Sequence, residues 1–232
     1  MPNFNFEFVV DSPMGDICRH QRIAQRVQST GLRFDLYFFA NDGAKPVQIN
    51  ANGQWIDDFA ALFADNVVLA GPTISCQAKV PHVQTHFFAL NPKGLRFLDE
   101  IQCQSEEGLY QREVLLSANV LKGGGQIASL LSNYRRASFS IPEWANLSLS
   151  SDLRQYQNSP LPPPCAGFAN PSICFEGDPG KLHWLKWGGT LEDYNLMPKC
   201  SFSSSPGLSK CSPALAPGES REGNVCDTYF RL

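Results

Sequence analysis

The run Leu69 to Leu95, LAGPTISCQAKVPHVQTHFFALNPKGL, constrains the fold of this chain more than any other stretch. An apolar strand ends in Gly71-Pro72 and leads to Cys76. A second strand-like run then carries His82, Gln84 and His86. Asn91-Pro92 follows as a helix start, because Asn caps well and the missing N–H of Pro is harmless in the first turn. Strands and helices that alternate in this way belong to a layered α/β fold, in which apolar strands are covered by amphipathic helices.

The rest of residues 4 to about 131 has the same texture. Phe4, Phe6 and Phe8 repeat with period 2 into Val9-Val10, which predicts a half-buried strand. Ile17, Ile23, Ala24 and Val27 are spaced as on a helix between Gly15 and Gly31, with Gly31 as its stop. RFDLYFFA is a short apolar run bounded by a polar loop, as expected of a strand covered on both faces. Trp55, Phe59, Leu62 and Phe63 mark one face of the next helix, NVVLA is the following strand, and HVQTHFFAL is read as one further strand. A helix is expected from Glu106 to Leu121, closed by Gly123-Gly124-Gly125. The predicted architecture is a mixed, mostly parallel sheet flanked by helices over residues 1–137. From Ser138 to Leu232 the composition shifts to Pro, Ser, Gly and Cys, with SPLPPPC as a rigid extended linker and KLHWLKWGG as an apolar island, which predicts an irregular C-terminal region.

With 232 residues and 43% hydrophobic content the chain can bury one substantial core. A formal net charge of -3, without any basic stripe, argues against nucleic acid as the main partner. No apolar run reaches the roughly 18 residues that a membrane span requires. The N-terminal segment lacks both the basic and the apolar parts of a signal peptide.

Of the eight cysteines, Cys18, Cys76 and Cys103 lie in the α/β part and five follow residue 160. An even number at loop-like positions favours disulfides and an oxidising, secretory compartment, Golgi lumen or extracellular. Reduced thiols and metal ligands are the alternatives. Cys76 with Cys103 is the first pairing expected. The sequon Asn146-Leu147-Ser148 agrees with that compartment.

His82, His86, Cys76 and Cys103 are of the right type for zinc. On a single strand, however, the two histidines would lie about 13 Å apart at roughly 3.3 Å per residue, too far to share an ion. Asn41-Asp42 ends the apolar strand DLYFFAND. A hard divalent cation prefers oxygen ligands, and a strand terminus holds them rigidly. An Asn-Asp-Gly sequence is equally a common way to turn a chain, so a turn alone and a turn with a metal or substrate contact both fit.

In this order and spacing, FFAND, Trp55 in QWIDDF, LAGPTISC, the His82-x-Gln84-Thr85 run, NPKGL, the Glu113-x-x-x-Ser117-x-x-x-Leu121 helix and IASLL resemble a eukaryotic group of GT-A-like glycosyltransferases related to bacterial polysaccharide synthesis proteins. The likeness covers about 100 residues. It implies transfer of a sugar from a nucleotide-sugar donor to a glycan or glycoconjugate acceptor, assisted by a divalent cation, Mn or Mg, that neutralises the diphosphate leaving group. It further implies that Asp42 with Asn41 holds the metal or the diphosphate, that Asp16 faces the donor sugar or ribose, and that His82 and Gln84 line the donor pocket. Glu113 would be the base for the acceptor hydroxyl if the reaction inverts, and Lys186 would reach a phosphate. Read by themselves, Asp16 is equally a first-turn acid favoured by the helix dipole, Glu113 part of a solvated helix face and Lys186 part of an aromatic packing anchor. Two features depart from the group: Gly43-Ala44-Lys45-Pro46 replaces a Gly-Pro, and the usual nucleotide-binding opening strand is not evident, as in an N-terminally shortened domain or one with a reduced nucleotide site. A catalytically inactive carbohydrate-binding derivative and a secreted, disulfide-stabilised interaction protein are the alternative functions.

Overall fold

The computed structural model describes residues 15–41, 44–46, 54–75, 80–103, 109–130 and 138–141, with short backbone ladders at 184–185, 199–201 and 210–212. In chain order the elements are α1 (Asp16–Ser29), β1 (Tyr37–Ala40), β2 (Lys45–Pro46), α2 (Gln54–Ala60), β3 (Val67–Gly71), β4 (Ile74–Ser75), β5 (His82–Val83), β6 (Phe87–Leu90), α3 (Pro92–Asp99), α4 (Leu109–Lys122) and β7 (Gln126–Ser129). Three further short strands, β8 (Trp184–Leu185), β9 (Lys199–Ser201) and β10 (Lys210–Ser212), lie beyond residue 138. β8 pairs with β2, and β9 with β10 in a register that sets Cys200 opposite Cys211. The expected opening strand at Phe4 to Val10 lies outside the described residues.

Four strands form a mixed sheet in the order β1-β6-β3-β7. β6 is antiparallel to both β1 and β3, whereas β3 and β7 are parallel. Two of the three pairings are therefore antiparallel, against the mostly parallel sheet expected. β1, β3 and β7 nevertheless run in one direction, with β6 reversed between them, so their C-terminal ends share one edge of the sheet. In open α/β sheets that edge is where ligands bind.

Alternation along the strands separates two covers. Tyr37 and Phe39 of β1 face the core shared with α1, α3 and α4, which holds Ile17, Ala24, Phe88, Leu90, Leu98, Leu116 and Val120. Phe38 faces the opposite side, with Trp55 and Phe59 of α2 and Phe87 of β6. Helices on both faces explain why β1 and β3 read as nearly continuous apolar runs. Leu69 is fully buried. Phe139, just past the expected boundary at Ser138, also enters the larger core, and its N–H donates to Gln126 Oε1 at 3.0 Å.

The helix ends follow sequence chemistry. Asn91 caps α3 by accepting from Gly94 N at 2.9 Å, with Pro92 in the first turn. Beyond α1, Gly31 adopts φ 80°, the left-handed conformation that glycine reaches without a Cβ penalty.

Two expectations are corrected. HVQTHFFAL is not one strand: His82–Val83 pairs with Ile74–Ser75 in a separate small sheet, Thr85–His86 turns, and Phe87–Leu90 enters the main sheet. The separation inferred for His82 and His86 on one strand therefore does not apply. Cys103 bonds Cys18 and not Cys76, with the Cα atoms 5.7 Å apart. The reason is packing: Cys18 sits on the buried face of α1, which lies against α3 where the chain leaves that helix, and Cys76 lies outside the described residues. The same contact is reinforced by Gln21, whose Nε2 donates to the carbonyls of Leu98, Asp99 and Ile101 at 2.8–3.0 Å.

Candidate functional site

The polar groups of interest gather at the shared C-terminal edge of β1, β3 and β7. Asn41 is the first residue after β1. Its N–H extends the β1–β6 ladder by donating to His86 O at 3.1 Å, and its carbonyl accepts from Ala44 N at 3.1 Å. Its side-chain Nδ2 donates to Asp16 Oδ2 at 3.0 Å, in the first turn of α1. Asn41 Oδ1 is buried and has no hydrogen-bond partner among the described residues. A buried carbonyl oxygen without a donor is costly, so such an atom in a native fold calls for a specific explanation.

Asp16 suits its place. An acidic residue in the first turn is favoured by the positive end of the helix dipole. Its other oxygen lies 3.9 Å from Arg19 Nη1, and the carboxylate stays partly in solvent, so that ion pair adds little to stability.

One turn further along α1, His20 was not anticipated from the sequence. Its Nε2 donates to Ala40 O at 3.3 Å, its ring lies 5.4 Å from those of Phe39 and Phe88, and Nδ1 has no partner among the described residues. Burial holds the His20 imidazole below its ordinary pKa, against upward pulls from the Ala40 carbonyl and Asp16, while Arg19 pushes it down further. The spacing Asp16-x-x-x-His20 puts both residues on one helix face and was the available signal.

Across this edge, segment 80–86 passes close over the end of β3. A Cβ at Gly71 would overlap the Val83 side chain, which explains the Gly71-Pro72 step. Gln84 Oε1 accepts from Thr73 Oγ1 at 2.7 Å, and Gln84 N–H donates to Thr73 O at 3.3 Å. His82 is buried, with its Nδ1 donating to Val80 O at 2.9 Å. Glu113 Oε1 accepts from Thr85 N at 3.1 Å.

The structure thus joins Asp16 directly to Asn41 and ties Glu113 to Thr85, whose neighbour His86 accepts from Asn41. His82 and Gln84 belong to the wall over β3. Asp42, Lys186 and Cys76 lie outside the described residues. No group of three or more His, Cys, Asp or Glu side chains placed to hold a metal occurs among the described residues. The Asp16 carboxylate and Asn41 Oδ1 are hard oxygens of the kind that Mg or Mn accepts, but two oxygens do not complete a coordination shell. No described helix is long and apolar enough to cross a membrane. Compared with known proteins, the chain matches no family model, no curated protein and no solved structure.

Proposed function

We propose that the chain is a GT-A-like glycosyltransferase domain that binds a nucleotide-sugar donor at the C-terminal end of β1 and transfers its sugar to a glycan or glycoconjugate acceptor. The observation that carries this reading is Asn41. A buried strand ends in an asparagine whose amide is fixed by Asp16 and whose Oδ1 is left without a described donor, with Asp42 next in the chain. An acidic, amide-rich strand end is where the resemblance puts the donor diphosphate and its cation. Sequence motif and polar geometry coincide there.

In this reading Asp16 orients Asn41 and meets the donor sugar or ribose, and Asn41 with Asp42 would supply oxygens to a divalent cation. That cation, Mn or Mg, would neutralise the diphosphate as it leaves. The Cys18–Cys103 disulfide supports passage through an oxidising, secretory compartment. Gln84 and Lys186 remain candidate donor contacts.

Calorimetric titration with UDP- and GDP-sugars, with and without manganese, tests the reading. Saturable binding of one donor, strengthened by manganese and lost in Asp42→Ala with the fold retained, is the expected result. Binding of free oligosaccharides without any nucleotide-sugar would instead establish a non-catalytic carbohydrate-binding derivative.

A further inference from the structure

Two backbone N–H groups of segment 82–86 are satisfied by side chains of a helix. Ser117 Oγ accepts from Val83 N at 2.9 Å, and Glu113 Oε1 accepts from Thr85 N at 3.1 Å. The spacing makes this possible. Positions i and i+4 on α4 are about 6 Å apart along the helix axis. Alternate N–H groups of an extended segment lie on one side and are about 6.6 Å apart. One face of α4 therefore stands in for a neighbouring strand.

The order of bonds continues beyond Thr85. The next residue, His86, accepts from Asn41 N at 3.1 Å, and the Asn41 side chain donates to Asp16 at 3.0 Å. A path of single steps thus runs from Glu113 through the Thr85–His86 turn to the strand end. Ser117 fastens the same segment two residues earlier.

We propose that Glu113 is a positioning residue, not the proton-accepting base of the reaction: it fixes the Thr85–His86 turn and thereby the backbone of Asn41, while Ser117 fastens Val83 two residues earlier. The inference rests on the reading of Asn41 and Asp16 as the donor site. It also accounts for the i, i+4 spacing of Glu113 and Ser117, which meets the alternate N–H groups of Val83 and Thr85. The role needs an acceptor oxygen at the reach of Glu113 and does not need a negative charge.

Amide hydrogen exchange on the full chain tests this, with Glu113→Gln, Glu113→Ala, Glu113→Asp and Ser117→Ala compared with the unaltered protein. Glu113→Ala should speed exchange at Thr85 and Asn41 about tenfold, the loss expected when a buried N–H is left without its acceptor. Glu113→Gln, which keeps the oxygen at the same reach, should match the unaltered protein at both amides. Ser117→Ala should release Val83 and leave Asn41 protected. Protection of Leu69 in the central strand reports an intact fold. If Glu113→Ala loses that protection, the shorter Glu113→Asp carries the comparison. Unchanged exchange at Asn41 in a folded Ala or Asp variant overturns the proposal, as does a Gln variant that behaves like Ala. Titration with UDP and manganese should show weaker binding for Glu113→Ala and normal binding for Glu113→Gln. A Gln variant that binds UDP normally but no longer turns over UDP-glucose would restore Glu113 as the base. If the unaltered protein binds no nucleotide, the donor-site reading fails, and the exchange pattern alone decides whether Glu113 holds Asn41.

Discussion

Asn91 follows β6 and Asn41 follows its neighbour β1, at opposite ends of the sheet because the two strands run antiparallel. Every polar group of Asn91 is engaged. Its Oδ1 accepts from Gly94 N, its Nδ2 donates to Val67 O at 3.1 Å, its N–H donates to Val68 O, and its carbonyl accepts from Gly94 N and Leu95 N. Asn41 engages its backbone and its Nδ2 but keeps Oδ1 without a described partner. The same residue type in the same local position thus closes one end of the sheet and leaves the other chemically open. A saturated asparagine is architecture. One with an oxygen to spare is where the proposed donor or cation contact would fall.

The strongest way to break this contrast is to remove the disulfide. Cys18 lies two residues after Asp16, the partner of Asn41, and the bond to Cys103 spans a sequence separation of 85. Replacing both cysteines by alanine should cost about 4.5 kcal/mol, by the closure entropy of so long a loop. Urea denaturation measures that loss. If the open end depends on the anchoring of α1, exchange should rise at Asn41 and stay unchanged at Gly94.

A pair of substitutions sharpens the contrast. Asn91→Ala removes the α3 cap and a bond to β3, and should lower stability by about 1–2 kcal/mol without altering nucleotide-sugar affinity. Asn41→Ala also removes the oxygen that lacks a partner, so its stability loss should stay below about 1 kcal/mol, while donor affinity falls about tenfold or more. Thermal melts and calorimetry separate the two. Equal stability losses with unchanged binding would reduce both residues to architecture.

The smallest effect concerns pH. His20 beneath the end of β1 is held below its ordinary value, chiefly by burial. On acidification the unfolded chain takes up its proton near pH 6.5, before the folded protein does. The contribution is therefore complete above that pH and is lost as the pH falls toward the lower folded value. His20→Gln should flatten this part of the stability curve, as urea midpoints between pH 5 and pH 7.5, about the span of imidazole titration, would reveal.

Much of this arrangement was legible in the residues. LYFFA, NVVLA and the Asn91-Pro92 helix start fell where the periodicity put them, because each rests on local chemistry. The reversed β6 was not legible. HVQTHFFAL keeps one β-favouring composition through the turn at Thr85–His86, and what breaks it is the pairing of His82–Val83 with Ile74–Ser75 together with the acceptors on α4, contacts remote in sequence. Cys103 was placed with the wrong partner for the same kind of reason, since helix docking and not spacing brings Cys18 to it. At the site, Asn41 and Asp16 could be singled out separately, but their bond could not. His20 was passed over because a histidine on an apolar helix face reads as ordinary core.

The position of Cys103 also bears on the order in which the molecule can be built. The covalent ring from Cys18 to Cys103 encloses β1, β3 and β6, whereas α4 and β7 follow it in the chain and β7 joins at the free edge of β3. A chain emerging from its N-terminus into an oxidising lumen can close that ring before β7 has been synthesised. β7 then docks from outside the ring, and no segment of the ring has to be threaded for the four-stranded sheet to be completed.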